Sequence, residues 1–176
     1  MKFFKLVFLS SLILIGTVSA QKGVMKIEPS VVIAFPQSGT NTGFGLNGMF
    51  FYGINDNVDI TGTLGYLSWG YSDWDGTLTS IPILFGGRYS FNVEGNITPY
   101  GSVELGFHFA SFSAPEYNYL GQNFGGSSNN TEFGIGLGGG AYFKVGDNFV
   151  IDANLQYNTI GSGDYFAIEG GVIFGI

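Results

Sequence analysis

The sequence predicts an all-β protein, an eight-stranded antiparallel up-and-down transmembrane β-barrel that is preceded by a cleaved signal peptide. Large apolar and small polar residues alternate with a period of two along most of the chain, as they do in strands that face two environments. Charged residues make up only 11% of the chain, whereas aromatic residues reach 17% and glycine occurs 30 times. Tight turns alternate with connections that are mostly longer. These observations favour a barrel whose apolar face is turned to lipid.

Composition and charge exclude several classes of protein. The chain of 176 residues has room for a single domain. It contains no cysteine, which excludes disulfides, zinc–thiolate sites and a lipid-attachment cysteine. The formal net charge of −7 argues against a nucleic-acid partner, because nucleic acids are bound through clustered lysine and arginine.

The N-terminal segment has the anatomy of a secretory signal peptide. Lys2 and Lys5 form a basic start, residues 6–15 form an apolar stretch, and residues 18–20 (Val-Ser-Ala) supply the small side chains at which a signal peptidase cuts. The apolar stretch is short for a transmembrane helix, which needs roughly 20 residues. Cleavage after Ala20 would make residues 1–20 the signal peptide and residues 21–176 the barrel domain.

Eight segments of 11–16 residues show the alternation, and each is long enough to cross a bilayer at the tilt usual in barrels. One face of each segment carries large apolar and aromatic residues, whereas the other carries small polar residues and most of the charges. Small polar residues could not fill an apolar core, so the aromatic face must be the outer, lipid-facing one. The predicted strands are residues 24–36, 43–53, 58–70, 79–91, 97–112, 132–145, 149–159 and 165–176.

The connections between these segments fall into two alternating classes. One class consists of tight turns rich in Asn, Asp and Gly, and the other is mostly longer. In outer-membrane barrels, short turns face the periplasm and longer loops face outwards. The predicted turns are residues 54–57, 92–96 and 146–148, and the predicted outer loops are residues 37–42, 71–78, 113–131 and 160–164.

Three segments carry a family resemblance: residues 54–60 (Ile-Asn-Asp-Asn-Val-Asp-Ile), 81–89 (Ile-Pro-Ile-Leu-Phe-Gly-Gly-Arg-Tyr) and 98–101 (Thr-Pro-Tyr-Gly). They are similar to the outer-membrane β-barrel domain family, with the small OmpA- and OmpX-like barrels. The resemblance covers the chain after the signal peptide and implies the outer membrane of a Gram-negative-type bacterium. One departure is the last residue, Ile176, because the family usually ends on an aromatic residue. Phe174 lies two residues earlier and therefore on the same face of the last predicted strand.

No residue pattern supports catalysis or cofactor binding. The glycines at positions 134, 136 and 138 are spaced as in a dinucleotide-binding fingerprint, but that motif needs a following helix and here the strand pattern continues. His108 is the single histidine. Glu104 lies roughly 13 Å away on the same strand, and Ser111 points to the opposite face. We therefore expect no enzyme, no catalytic residues, no cofactor and no metal site.

The predicted inner face carries charges of both signs in its periplasmic half. Two cations among four acids in a narrow interior predict a network of ion pairs, since a buried unpaired charge is expensive. The interior of an eight-stranded barrel is just wide enough for side chains to fill. This width favours a plug, and the alternative is the gate of a small pore. The predicted network comprises Glu28, Asp59, Arg88, Glu104, Lys144 and Asp152.

The predicted outer loops carry acidic and aromatic residues. The longest, residues 113–131, is rich in Gly, Ser and Asn, which predicts a mobile external loop and the surface at which a partner would bind. Its expected contact residues are Tyr117, Tyr119 and Phe124. Acidic loops could also bridge lipopolysaccharide phosphates through divalent cations, or form an ordinary hydrated surface with aromatic residues at the membrane boundary.

The sequence therefore predicts an integral outer-membrane barrel with a structural or surface-interaction role and a lumen filled by polar and charged side chains. The first alternative is a narrow channel for small solutes. A weaker alternative is an enzyme that modifies lipid A, because some small outer-membrane barrels have such an activity. The expected partners are outer-membrane lipids and lipopolysaccharide, the barrel-assembly machinery during insertion, and a surface partner at residues 113–131, but not nucleic acid.

Overall fold

The computed structural model describes residues 22–37, 39–71, 75–119, 122–145, 149–161 and 163–176, with the backbone alone for residues 116–119 and 122–124. The predicted signal peptide and the predicted turn at residues 146–148 lie outside the described residues, so both stay predictions. None of the described residues lies in a helix long and apolar enough to cross a membrane.

Eight strands form one closed antiparallel barrel in which each strand pairs with its neighbours in the sequence. The last strand also pairs with the first, for example at Ile168 opposite Ile33, and this pairing closes the barrel. The predicted up-and-down fold is therefore confirmed. The strands are β1 (Met25–Pro36), β2 (Gly43–Gly53), β3 (Val58–Gly70), β4 (Thr77–Ser90), β5 (Ile97–Tyr119), β6 (Gln122–Val145), β7 (Phe149–Ile160) and β8 (Gly163–Gly175).

Side chains along the strands alternate between an exposed outer face and a buried inner face. In β1, Val31 on the outer face is 60% exposed, whereas the adjacent Val32 on the inner face is 2% exposed. The outer face consists of large apolar and aromatic residues, a surface that is tolerated where lipid is the solvent. The inner face buries charged side chains such as Asp59 and Asp152. The predicted orientation of the two faces is confirmed.

The tight turns lie at one end of the barrel, the turn end, and the remaining connections lie at the opposite end, the loop end. In the turn between β2 and β3, Oδ1 of Asn55 accepts hydrogen bonds from the backbone N–H groups of Asn57 and Val58 at 2.8 and 2.9 Å. Short Asn and Asp side chains stabilise chain reversals in this way. The local sequence therefore favours this turn, and hydrogen bonds between Asn57 and Ser90 of β4 also stabilise it.

Six strands begin and end within two residues of their predicted positions, but β5 and β6 are much longer than predicted. The prediction of a loop at residues 113–131 is wrong, because β5 and β6 stay paired until Tyr119 lies opposite Gln122. We call residues 113–119 and 122–131 the outer ribbon. The barrel already holds the two strands in register, so each further pair closes only a short loop at low entropic cost.

The outer ribbon contains one irregularity in its pairing, between Ala114 and Tyr117 of β5. On the facing part of β6, Gly125 and Gly126 have φ angles of 100° and 123°. Residues other than glycine rarely adopt this backbone region. The glycine content that predicts a mobile loop instead accommodates an irregularity within a continuous pair of strands.

Candidate functional site

A cluster of buried charges surrounds Arg88 on the inner face, in the half of the barrel near the turn end. Nη1 of Arg88 lies 2.6 Å from Oδ2 of Asp152 and 3.4 Å from Oε2 of Glu28. It also donates a hydrogen bond to the hydroxyl of Tyr142 at 3.3 Å. The hydroxyl of Tyr100 donates to both carboxylate oxygens of Asp152, at 2.8 and 2.9 Å. The cluster therefore links β1, β4, β5, β6 and β7 across the interior.

Aromatic rings enclose the same guanidinium group. Its Cζ atom lies 4.5 Å from the ring centre of Tyr100 and 5.0 Å from that of Phe51. Ring faces attract a cation, most strongly where water is excluded. Arg88 is only 2% exposed, and a charge so deeply buried is stable only when it is paired and hydrogen-bonded.

A second buried ion pair joins β1 to β3. Nζ of Lys26 lies 2.8 Å from Oδ2 of Asp59, and both side chains are almost fully buried. The ammonium group also lies 5.4 Å from the ring centre of Phe51, which places this ring against both buried cations. Asp59 is the direct cross-strand partner of Arg88. The two ion-pair groups are therefore adjacent and form one charged layer.

Midway along the barrel, two buried carboxylates accept hydrogen bonds from neutral groups. Glu104 accepts from Oγ1 of Thr63 at 2.6 Å and from Nε2 of Gln156 at 2.9 Å. Glu169 accepts from Nδ2 of Asn47 at 3.2 Å. The ion pairs among the described residues do not include either carboxylate. Hydrogen bonds from neutral donors on β2, β3 and β7 to the two carboxyl groups therefore hold this layer together.

Clusters of buried apolar and aromatic residues lie on both sides of the charged layer and the middle layer, and Tyr100 and Tyr142 belong to the charged layer as well. Towards the loop end, the rings of Trp69 and Tyr165 meet edge to face with their centres 5.6 Å apart. A cavity of about 170 Å³ beyond them is lined by both rings. The cluster nearer the loop end comprises Val32, Ala34, Leu67, Trp69, Tyr165 and Ala167. The cluster nearer the turn end comprises Tyr100, Tyr142, Val150 and Ile173.

His108 lies between the middle layer and the loop end. Its Nδ1 atom is 3.5 Å from Oγ of Ser80, which is at the limit of a hydrogen bond. A Cβ atom at Gly134 would lie 2.8 Å from Cδ2 of the ring, so the glycine leaves room for the imidazole. Both Ser80 and His108 are buried. Among the described residues, no group of three His, Cys, Asp or Glu side chains could hold a metal ion.

The structure brings together four of the six residues predicted to form the lumen network. Glu28, Asp59, Arg88 and Asp152 lie in the charged layer described above. Glu104 is buried in the middle layer instead. The placement of Lys144 in the network is wrong, because its side chain is exposed. Lys144 lies next to the end of β6, where a long side chain reaches water.

Sequence reasoning missed Lys26, Glu169, Tyr100 and Tyr142 as members of the lumen network. Lys26 precedes Glu28 by two residues, so the period-two pattern places both on the inner face and could have identified it. The same pattern places Glu169 on the inner face. The phase of β5 and β6 also places the two tyrosines on the inner face, but their aromatic residue type indicates the lipid side, so the two signals disagree. Their stacking, with ring centres 4.5 Å apart, depends on the closed barrel.

The outer ribbon contains the predicted contact residues, with Tyr117 opposite Phe124 and Tyr119 near the tip. The side chains of these three residues lie outside the described part of the chain. The described side chains of residues 127–131 are exposed. The ribbon therefore presents a polar surface beyond the barrel.

Basic residues are confined to one end of the barrel, whereas acidic residues occur at both ends. Every Lys and Arg after residue 21 lies on a strand or terminal segment near the turn end, at positions 22, 26, 88 and 144. In the sequence, the connections and strand ends at the loop end contain no Lys or Arg, and their charged residues are acidic. They are Asp73, Asp75, Glu116, Glu132 and Asp164, of which Asp73 and the side chain of Glu116 lie outside the described part of the chain.

A closed eight-stranded barrel with an apolar exterior and a polar, charged interior defines an integral β-barrel protein of the outer membrane. The family model described as Outer membrane protein beta-barrel domain matches residues 10–173. The chain belongs to this family, which confirms the resemblance seen in the sequence. The protein is accordingly located in the outer membrane of a Gram-negative bacterium.

Solved structures of small outer-membrane barrels have the same fold. Neisserial surface protein A is 21% identical with a TM-score of 0.60, over 86% of this chain and 95% of that one. Ail, the attachment invasion locus protein of Yersinia pestis, is 20% identical with a TM-score of 0.58, over 89% and 100%. The N-terminal β-barrel domain of Pseudomonas aeruginosa OprF is 22% identical with a TM-score of 0.51, over 88% and 98%. A comparison with curated protein sequences finds no match.

Proposed function

We propose that this protein is a non-conducting barrel that presents its loop end as an interaction surface. The outer ribbon is the observation that carries the proposal. Pairing between β4 and β5 ends where Thr77 lies opposite Ser113, whereas β5 and β6 stay paired to Tyr119 and Gln122. Segments displayed by a rigid scaffold commonly carry recognition. The apolar outer face would contact lipid and lipopolysaccharide, after insertion by the barrel-assembly machinery.

Side chains fill the lumen, which favours a structural role for the interior over a role as a channel. The charged layer and the middle layer span the interior, and a cluster of buried apolar and aromatic residues lies on each side of them. A solute would have to separate buried ion pairs such as Arg88 and Asp152, which is strongly unfavourable. The buried Ser80 and His108 pair offers no exposed nucleophile, so we assign no catalytic role.

The charge of the loop end indicates which charge a binding partner should carry. Ail has been solved in complex with the heparin analogue sucrose octasulfate. The loop end of the present chain has no Lys or Arg, and recognition of sulfate or phosphate groups depends on such residues. We therefore propose a neutral or basic partner for this protein rather than a sulfated polyanion.

Two measurements test the proposal. An epitope tag inserted at Gly126 should be accessible to antibody on intact cells, because the outer ribbon faces the exterior. The purified full chain in planar bilayers should show no stepwise conductance. A tag that is detected only after the outer membrane is permeabilised would contradict the interaction surface, and reproducible single-channel steps would support the channel instead.

A charge variant tests the nature of the partner. Cells that display the natural chain should retain more polylysine-coated beads than cells that display a variant with the five loop-end acids changed to Asn or Gln. The difference should shrink as salt is added, because exposed charges are screened. Heparin-coated beads are the matched control and should be retained by neither. Retention of heparin beads by the natural chain would contradict the proposed charge preference.

A further inference from the structure

The two edges of the outer ribbon differ in how well they are protected. Along β5, the edge contains Pro115 and the irregularity between Ala114 and Tyr117. Proline and irregular pairing are devices that prevent another strand from adding to an exposed edge. Along β6, residues 127–131 contain no Pro and no charged residue, and Glu132 is the first charge that follows them. Residues 127–131 of the β6 edge therefore lack these devices.

The β6 edge is also open. The pairing between β6 and β7 begins only where Gly134 lies opposite Ile160. In the described part of the chain, residues 127–131 have backbone pairing to β5 and to no other strand. Every second residue of an antiparallel strand directs its N–H and C=O groups to one side. About half of the backbone groups in this stretch therefore face the open side.

Local contacts occupy little of this edge. The backbone N–H of Thr131 donates to Oδ1 of Asn130 at 2.9 Å, and Nδ2 of Asn130 donates to Oε1 of Glu132 at 2.5 Å. These bonds lie within three consecutive residues at the barrel side of the edge. The side chains of Ser127, Ser128 and Asn129 are exposed, so a further strand meets no bulky group there.

We infer that residues 127–131 of β6 bind an extended, basic segment of a partner polypeptide by addition of a strand to the ribbon. Backbone hydrogen bonds would supply the attachment, as in other cases of strand addition. The basic character follows from charge complementarity, because the loop end carries five acids and no Lys or Arg. A second copy of this chain would bring a like-charged loop end to the same edge, which is unfavourable. The inference rests on the proposed function and specifies its partner.

The test uses the full chain in lipid nanodiscs and synthetic peptides of about ten residues, enough to cover a strand of usual length. In each peptide, Lys alternates with Thr, Val, Ser or Gln. Fluorescence anisotropy measures the binding of the peptides to the protein. The expected result is binding by at least one peptide of this set, with slower amide hydrogen exchange at residues 127–131. Binding by none of the set would overturn the inference.

Matched peptides separate strand addition from charge attraction. In the first control, alternate backbone nitrogens of the bound peptide are methylated, which keeps its charge but removes the N–H donors on one edge and places methyl groups there. Two such peptides, methylated in the two alternating phases, cover both edges. We expect one phase to bind at least about tenfold more weakly, equivalent to about 1.4 kcal/mol. Equal binding by the unmethylated peptide and both methylated forms would overturn strand addition, while an accessible tag at Gly126 would leave the proposed function standing.

Two further controls identify the other possible occupants. A peptide with Glu in place of Lys should not bind, and binding by this peptide would overturn the basic partner. The mass of the protein–nanodisc particles should correspond to one protein chain per nanodisc at all protein concentrations. Pairing of two chains with protection of residues 127–131 would assign the edge to a second copy and overturn the inference.

Discussion

The charged layer of the lumen and the outer ribbon are built from the same kind of antiparallel pairing but satisfy their polar groups differently. In the lumen, strands on all sides bring side chains to Arg88, so that its charge meets two carboxylates and several rings. In the outer ribbon beyond Ser113, β5 and β6 pair only with each other in the described part of the chain, and backbone groups on their outer edges have no strand partner. Closure therefore pairs the buried charges around Arg88 with one another, whereas extension beyond the closed part leaves groups available to a partner.

Removal of the central cation should give the largest effect. Arg88→Met leaves Glu28 and Asp152 without their ion-pair partner, and we expect a loss of about 3–5 kcal/mol of folding free energy. Lys144→Met is the matched control, because this exposed cation should contribute less than about 1 kcal/mol. Urea titrations of folding in lipid vesicles measure both. A change below about 0.5 kcal/mol for Arg88→Met, as for a surface pair, would show that the lumen charges are solvated.

A charge on the lipid-facing surface should be the next most costly change. Leu137 is 60% exposed on the outer face of β6, and Leu137→Arg should cost about 2–4 kcal/mol if the residue lies near the bilayer midplane. Ser127→Arg lies on the same strand in the outer ribbon and should change stability by about 0.5 kcal/mol or less. The same vesicle titration compares them. Equal tolerance of the two substitutions would contradict the division between membrane and exterior.

Loss of a neutral donor in the middle layer should have an intermediate effect. Gln156→Leu removes the amide that donates to Oε2 of Glu104, and an unsatisfied buried acceptor costs about 1–3 kcal/mol. Gln37→Leu is the control, because Gln37 donates to the exposed hydroxyl of Tyr157 at 3.1 Å. Its loss should cost about 0.5 kcal/mol or less, as for most surface substitutions. Similar losses of folding free energy for both variants would show that water replaces the lost donor in the lumen.

Shortening of the outer ribbon should have the smallest effect on the barrel. Replacement of residues 114–126 by Asn-Gly joins the paired Ser113 and Ser127 through a two-residue turn, a connection suited to antiparallel strands. Loop-length changes alter the entropy of closure only weakly, so stability should change by less than about 1 kcal/mol. Electrophoretic mobility shifts of folded barrel and the urea titration provide the measurement. Failure of this variant to fold would mean that the ribbon is needed for barrel formation rather than for recognition alone.

The inner and outer faces of the strands could be predicted because they depend on a local period of two. Val31 and Val32 are chemically identical, yet their environments follow from the phase of β1. The same phase carries the information that Lys26 is buried beside Glu28. The resemblance to the outer-membrane barrel family also follows from the sequence, whereas cleavage after Ala20 stays a prediction because residues 1–20 are outside the described part.

Contacts across the lumen and the length of the outer ribbon depended on the tertiary structure. Arg88 and Asp152 are 64 positions apart, and no local pattern states which inward charges meet across a closed barrel. Lys144 has the inward phase but is exposed, because burial depends on distance from the barrel end as well as on phase. The glycine- and asparagine-rich residues of the outer ribbon favour a loop when considered alone. They form strands because the barrel below already holds β5 and β6 side by side, which removes most of the entropy cost that would oppose their pairing in isolation.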